Sequence, residues 1–188
     1  MVLENERYKV SIHTEYKPDL KAYQVLYRPV DLDMTGFYSA YLIDVDTFDG
    51  QRYQVALTDL LISNIEPCAV LEENTLTVIL FSNILQVDLY TRSVAKCVDC
   101  ESLGGLEEIH LIAGGYLIKG EGEIFRYDQE LNQVWWRAGR DIFATPEGDD
   151  CFWLEDDRIH CRDWEGWHYV LDLNGKLIGE YRQETSII

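Results

Sequence analysis

Long apolar runs are missing from this 188-residue sequence; the longest, Leu76 to Phe81, is broken by Thr77. A helix crossing a bilayer needs about 20 apolar residues, so no such helix is expected. Met1 to Val10 alternates charged with apolar residues and lacks the continuous apolar centre of a secretory signal, which points to a cytoplasmic address. Proline is scarce, with four residues, and the five cysteines (Cys68, Cys97, Cys100, Cys151 and Cys161) are odd in number. A complete disulfide scheme would leave one thiol over, and a domain of this size needs no staples, so the thiols are read as reduced.

Basic residues are also few. Sixteen Lys and Arg face 34 Asp and Glu, for a formal charge of -18. A field of that sign repels phosphate backbones and anionic lipid heads, and it attracts basic surfaces within about 8 Å at physiological salt. Nucleic acid and membrane are therefore excluded as expected partners and a basic protein is favoured; the bland alternative is charge kept for solubility. The 47% hydrophobic fraction is far from the composition of disordered chains, so the charge is expected outside a folded core.

Residues alternate apolar with polar over short stretches. Tyr8, Val10 and Ile12 share one parity, as do Tyr23, Val25 and Tyr27, while Phe125 and Tyr127 oppose Ile124 and Arg126. That is the period of strands. Between them lie turn signals such as Asp49-Gly50, Gly104-Gly105, Gly114-Gly115, Glu147-Gly148 and Asn174-Gly175. At most one short helix is expected, over Thr58 to Ile65, ended by Pro67. No linker or low-complexity stretch divides the chain, which reads as a single β domain over 1–188.

Overlaying the strands exposes a repeat. Leu42-Ile43-Asp44-Val45-Asp46, Ile84-Leu85-Gln86-Val87-Asp88, Ile124-Phe125-Arg126-Tyr127-Asp128 and His168-Tyr169-Val170-Leu171-Asp172 each end in Asp before a polar turn. The aspartates are 42, 40 and 44 residues apart, the period of one four-stranded blade. Such a carboxylate can accept a backbone N–H two residues on and preorganise the hairpin. The pattern, with Phe125-Arg126-Tyr127-Asp128 leading to Val134-Trp135-Trp136, resembles β-propeller repeats of the quinoprotein-like and WD types over about residues 38 to 182. The resemblance implies a small all-β propeller-like array of antiparallel hairpins. Its units are placed at roughly 38–75, 76–114, 115–150 and 151–182, after N-terminal strands within 6–30. An antiparallel sandwich or barrel with the same spacing is the alternative.

Motifs for chemistry are thin. Cys97-Val98-Asp99-Cys100 has half a zinc spacing, but Cys151 and Cys161 are too far apart to form the usual second pair. Asp44 to Gly50 approaches a calcium loop, with its third oxygen ligand one residue late and no acid at the twelfth position. Gly120-Glu121-Gly122 puts a carboxylate where an anion would sit. The four histidines (His13, His110, His160 and His168) lack a nucleophile context, and with 34 acids some carboxylate pair at glycosidase spacing arises by chance. No cofactor, metal or catalytic residue is assigned.

The most suggestive stretch runs from Glu147 to Glu165, where eight acids are interleaved with Trp153 and Trp164 and followed by Trp167. Rigid aromatic faces among carboxylates suit a cationic partner. The expected partner-binding residues are Asp149, Asp150, Glu155, Asp156, Asp157, Asp163, Trp164, Glu165 and Trp167. The competing reading makes Trp153 core and the acids mere solvated hairpin edges. Trp135 and Trp136 are adjacent in a strand and must face opposite ways. The expected function is an acidic protein-binding inhibitor, in its sharpest form an immunity protein against a basic, nuclease-like toxin domain. The alternatives are a scaffold or sensor module and a propeller-type hydrolase or lyase.

Overall fold

The computed structural model describes residues 1–29, 38–62, 65–146 and 148–182. Among them every regular element is a strand, apart from one 3-10 turn at Leu20–Ala22 that Asp19 caps by accepting the Lys21 N–H. No helix among the described residues is long and apolar enough to cross a membrane.

Among the described residues seventeen strands form four sheets in chain order. The first contains β1 (Val2–Glu4), β2 (Tyr8–Tyr16), β3 (Gln24–Tyr27), β4 (Ser39–Thr47) and β5 (Arg52–Asp59), in the spatial order β1-β2-β4-β5-β3. Its β3 runs parallel to β5, and the other pairs are antiparallel. The second is the meander β6 (Ala69–Glu72), β7 (Thr75–Ile79), β8 (Asn83–Asp88) and β9 (Ser93–Asp99). The third is β10 (Leu106–Ile112), β11 (Gly115–Gly120), β12 (Glu123–Tyr127) and β13 (Gln133–Ala138), and the fourth is β14 (Phe152–Glu155), β15 (Arg158–Arg162), β16 (Trp167–Asp172) and β17 (Leu177–Arg182). The chain is thus an all-β, propeller-like series of four sheets, antiparallel except for the β3–β5 pair.

The repeated aspartates occupy one structural position, the turn joining the third and fourth strands of each sheet. Asp88 Oδ1 accepts the N–H groups of Tyr90 and Thr91, both at 2.8 Å. Asp128 accepts the Asn132 N–H at 2.7 Å, and Asp172 accepts those of Asn174 and Lys176, both at 2.9 Å. In all three sheets the register slips one residue before this aspartate, at Gln86/Val87, Arg126/Tyr127 and Val170/Leu171. Such a bulge adds twist and bends the strand into its turn. The first sheet departs from the pattern. Asp46 turns to Arg52 across the strands, and Thr47 with Asp49 closes the turn instead.

Anchoring the repeat on this turn displaces the frame. The sheets span 69–99, 106–138 and 152–182, so the boundaries expected at 75/76 and 114/115 fall inside β7 and inside the β10–β11 turn. The helix expected over Thr58 to Ile65 is also absent from its described residues. Thr58 and Asp59 continue β5 opposite Ala40 and Ser39, and Thr58 Oγ1 donates to Tyr27 O at 2.9 Å. Strand pairing on both sides outweighs a helical spacing of three leucine-type residues. Two compact units appear where composition showed no break: residues 1–101 with 105–110, and residues 102–104 with 111–188.

Burial follows strand rank. The central strands β4 and β11 are buried over most of their length, whereas β9, β13 and β17, each fourth in its sheet, are largely exposed. In the second unit Leu117, Ile124, Phe143, Phe152, Ile159, Cys161, Tyr169 and Leu171 form one core cluster. Trp135 packs against it and donates its indole N–H to Leu173 O at 3.1 Å, while adjacent Trp136 is half exposed, the opposition expected of neighbours in a strand.

Candidate functional site

The acidic stretch maps onto the fourth sheet, and its meander takes the stretch apart. Phe152 pairs with Cys161 and Glu155 with Arg158, so Cys151 and Arg162 lie at one end of the β14–β15 hairpin and Asp156 and Asp157 at the other. Asp149, Asp150, Trp164 and Glu165 share the first end; Glu155, Asp156 and Asp157 share the second. At about 3.3 Å per residue the five steps from Cys151 to Asp156 put the two ends roughly 17 Å apart. The nine residues are therefore two groups rather than one patch, and Glu147, counted with the acids, lies outside the described residues.

Two of the nine are committed to the fold. Asp163 is 1% exposed, accepts the Trp167 N–H at 2.8 Å, and accepts the Tyr169 hydroxyl at 2.5 Å. It is a buried turn acceptor and not a surface carboxylate. That hydrogen bond and burial together raise the Tyr169 phenol to about 12, burial contributing most. Trp167 is partly buried, with the Arg140 guanidinium 4.1 Å over its ring. Arg140 is held in turn by Glu180 at 2.8 Å, so this tryptophan face already carries a cation from its own chain. The remaining seven, Asp149, Asp150, Glu155, Asp156, Asp157, Trp164 and Glu165, are exposed. Trp164 stands half in solvent, and its backbone N–H donates to Ile142 O at 2.9 Å.

One face of the fourth sheet holds side chains the acid pattern did not single out. Trp153 stacks on His160 with centroids 4.9 Å apart and planes 11° apart; His160 Nδ1 lies 3.1 Å from His168 Nε2; and Tyr181 meets His168 edge-on at 4.6 Å. The Arg162 guanidinium lies 5.0 Å from the Trp153 ring centre. Trp153 is thus part of this ring ladder, on the face opposite the core residues Phe152, Ile159 and Cys161. Burial, then the neighbouring His160 and Arg162, push the His168 imidazole down to about 4, so it is neutral at pH 7. Strand parity alone could have found the ladder, since Trp153 pairs with His160, and His168 pairs with Arg162 and Tyr181. Asp149, Asp150, Trp153 and Arg162 together line a shallow recess of about 360 Å3 at the first end.

The metal-like motifs are absorbed by structure. Cys97 is exposed on β9 while Cys100 is buried just beyond it, and burial pushes the Cys97 thiol up. Cys151 donates to Phe143 O at 3.0 Å, and Cys161 is fully buried with its thiol pushed far above the ordinary range. In the calcium-like stretch Asp44 faces His13 and Gln54, Asp46 faces Arg52, and Asp49 faces its own turn. No group of three or more His, Cys, Asp or Glu able to hold a metal occurs among the described residues.

No family model matches the sequence, and no curated protein matches it. Among solved structures the chain is similar to the computationally designed Ika8 protein, at 11% identity and a TM-score of 0.52, over 98% of this chain and 62% of that one. It is more loosely similar to BamB from Moraxella catarrhalis, at 15% identity and a TM-score of 0.49, over 77% of this chain and 45% of that one. The chain thus spans less than two thirds of either structure. At such identity the Ika8 likeness bears on fold alone.

Proposed function

We propose that this protein acts by binding a basic protein surface, and that the contact is made at the end of the fourth sheet carrying Asp149, Asp150, Trp164 and Glu165. The observation behind this reading is the exposure of three carboxylates at the same end of the sheet as a half-exposed tryptophan, on a chain of charge -18. A large exposed ring costs solvation in the free protein and supplies a hot-spot anchor when covered. The surrounding charge accelerates encounter with a cationic partner and suppresses wrong ones. The opposite end, with Glu155, Asp156 and Asp157, has charge but no aromatic anchor among the residues singled out, and it serves steering only.

In its sharpest form the partner is a nuclease-like toxin domain and the protein its immunity factor. A nuclease keeps a basic cleft for phosphate, and a rigid acidic edge can occupy that cleft. Affinity capture with the tagged protein from its native cells, washed at low and then high salt, tests the reading. Elution of a basic protein by salt supports it. Recovery of an acidic or neutral assembly indifferent to salt sinks it in favour of a scaffold role.

A further inference from the structure

A cleft in the first unit is distinguished by how its charges are held. It encloses about 340 Å3 between the β1–β2 loop, the β4–β5 turn and the β8–β9 turn. Phe48 and Tyr90 stand on it 62% and 79% exposed, and Tyr53 forms part of its wall, fixed by a hydroxyl bond to Leu89 O at 2.6 Å.

Two guanidinium groups line the cleft, and each is oriented by a neutral amide. Arg7 Nη1 donates to Asn74 Oδ1 at 2.9 Å. Arg92 Nη2 donates to Gln51 Oε1 at 3.0 Å, with its guanidinium 4.3 Å over the Tyr53 ring. Among the described residues neither makes an ion pair with a carboxylate, although the chain carries 34 acids. Two acids also line the cleft: the carboxylate of Asp49 is turned back into its own turn, on Thr47 Oγ1 and the Gln51 N–H, and Glu6 is exposed to solvent. Amides fix the direction of a guanidinium without neutralising it, and each takes one N–H of its group, which leaves the other N–H donors for an anion.

We propose that this cleft binds an aromatic carboxylate, its ring lying against Phe48 and Tyr90 and its carboxylate on Arg7 and Arg92. The volume sits at the lower end of the range of small-ligand sites, enough for a single ring with its head group. The charge of the whole chain selects a monoanion, because a phosphate dianion or a polyanion meets a steeper repulsion from the surrounding field. The same chemistry is offered by a free small acid and by the carboxy-terminal aromatic residue of a peptide. The cleft uses none of the residues assigned to the basic partner.

Calorimetric titration of the full chain with N-acetyl-L-phenylalanine, its carboxamide, benzoate and phenyl phosphate tests this. Saturable binding of the free acid, at least about ten-fold tighter than the carboxamide, is expected, because a hydrogen bond to a charged group is worth about that factor. Arg7→Gln and Tyr90→Ser, both at exposed positions, each weaken it by about the same factor with the thermal midpoint unchanged. Benzoate as tight as the acetylated amino acid assigns the site to small acids; a preference for the latter assigns it to peptide ends. Equal binding of acid and carboxamide, tighter binding of phenyl phosphate, or no binding below about 1 mM would overturn the assignment.

Discussion

Asp163 and Asp156 carry the same side chain on neighbouring turns and stand in opposite physical situations. Asp163 is buried under two donors, one of them a tyrosine hydroxyl, whereas Asp156 is in solvent. Asp163→Asn leaves the Tyr169 hydroxyl facing a weaker acceptor and is expected to cost about 1.5–3 kcal/mol in urea unfolding. Asp156→Asn is expected to stay within about 0.5 kcal/mol. Equal effects would show that Asp163 is not the buried acceptor described. His168 gives a pH signature of known sign. Its folded-state value is pushed down to about 4, below the usual 6.5, so between those limits the unfolded chain binds the extra proton. Its contribution is complete above about pH 6.5 and is lost as pH falls toward 4. Urea midpoints at pH 7 and pH 5 should therefore differ more for the native chain than for His168→Gln, in which that proton is no longer taken up.

At the scale of elements, the turn between third and fourth strands is the recurring device, and its cost is testable sheet by sheet. Asp172→Ala and Asp88→Ala each orphan two backbone N–H groups and are expected to lower stability by about 1 kcal/mol. Asp46→Ala, whose carboxylate faces an exposed arginine rather than its own turn, should leave the unfolding midpoint unmoved. A uniform loss at all three positions would contradict the difference between the first sheet and the others. This device was legible in the sequence because it is local: the acceptor and its donors lie within four residues. Strand type was legible for the same reason, through alternation. The blade frame was not, since the aspartate marks a turn without saying which strand of the sheet precedes it. Nor was the split of the acidic stretch, because a hairpin sends residues seven apart, such as Asp149 and Asp156, to opposite ends. The burial of Asp163 and the cover of Arg140 over Trp167 depend on partners from the β13–β14 connection and from β16, which no local pattern reports.

At the scale of the molecule, a charge of -18 on a folded chain must act on any partner through a salt-screened field. The composition carried that statement from the outset; the place where the field meets an aromatic anchor came only with the strand register. Association of the protein with its captured basic partner is measured at low and high salt, for the native chain, for Asp149→Lys with Asp150→Lys and Glu165→Lys, and for Asp156→Lys with Asp157→Lys. Affinity is expected to fall with salt in the native chain. The first reversal is expected to abolish binding, and the second to slow association while leaving dissociation nearly unchanged. Binding that survives the first reversal and fails with the second would place the contact at the wrong end of the sheet, and binding indifferent to salt and to both would contradict the central claim.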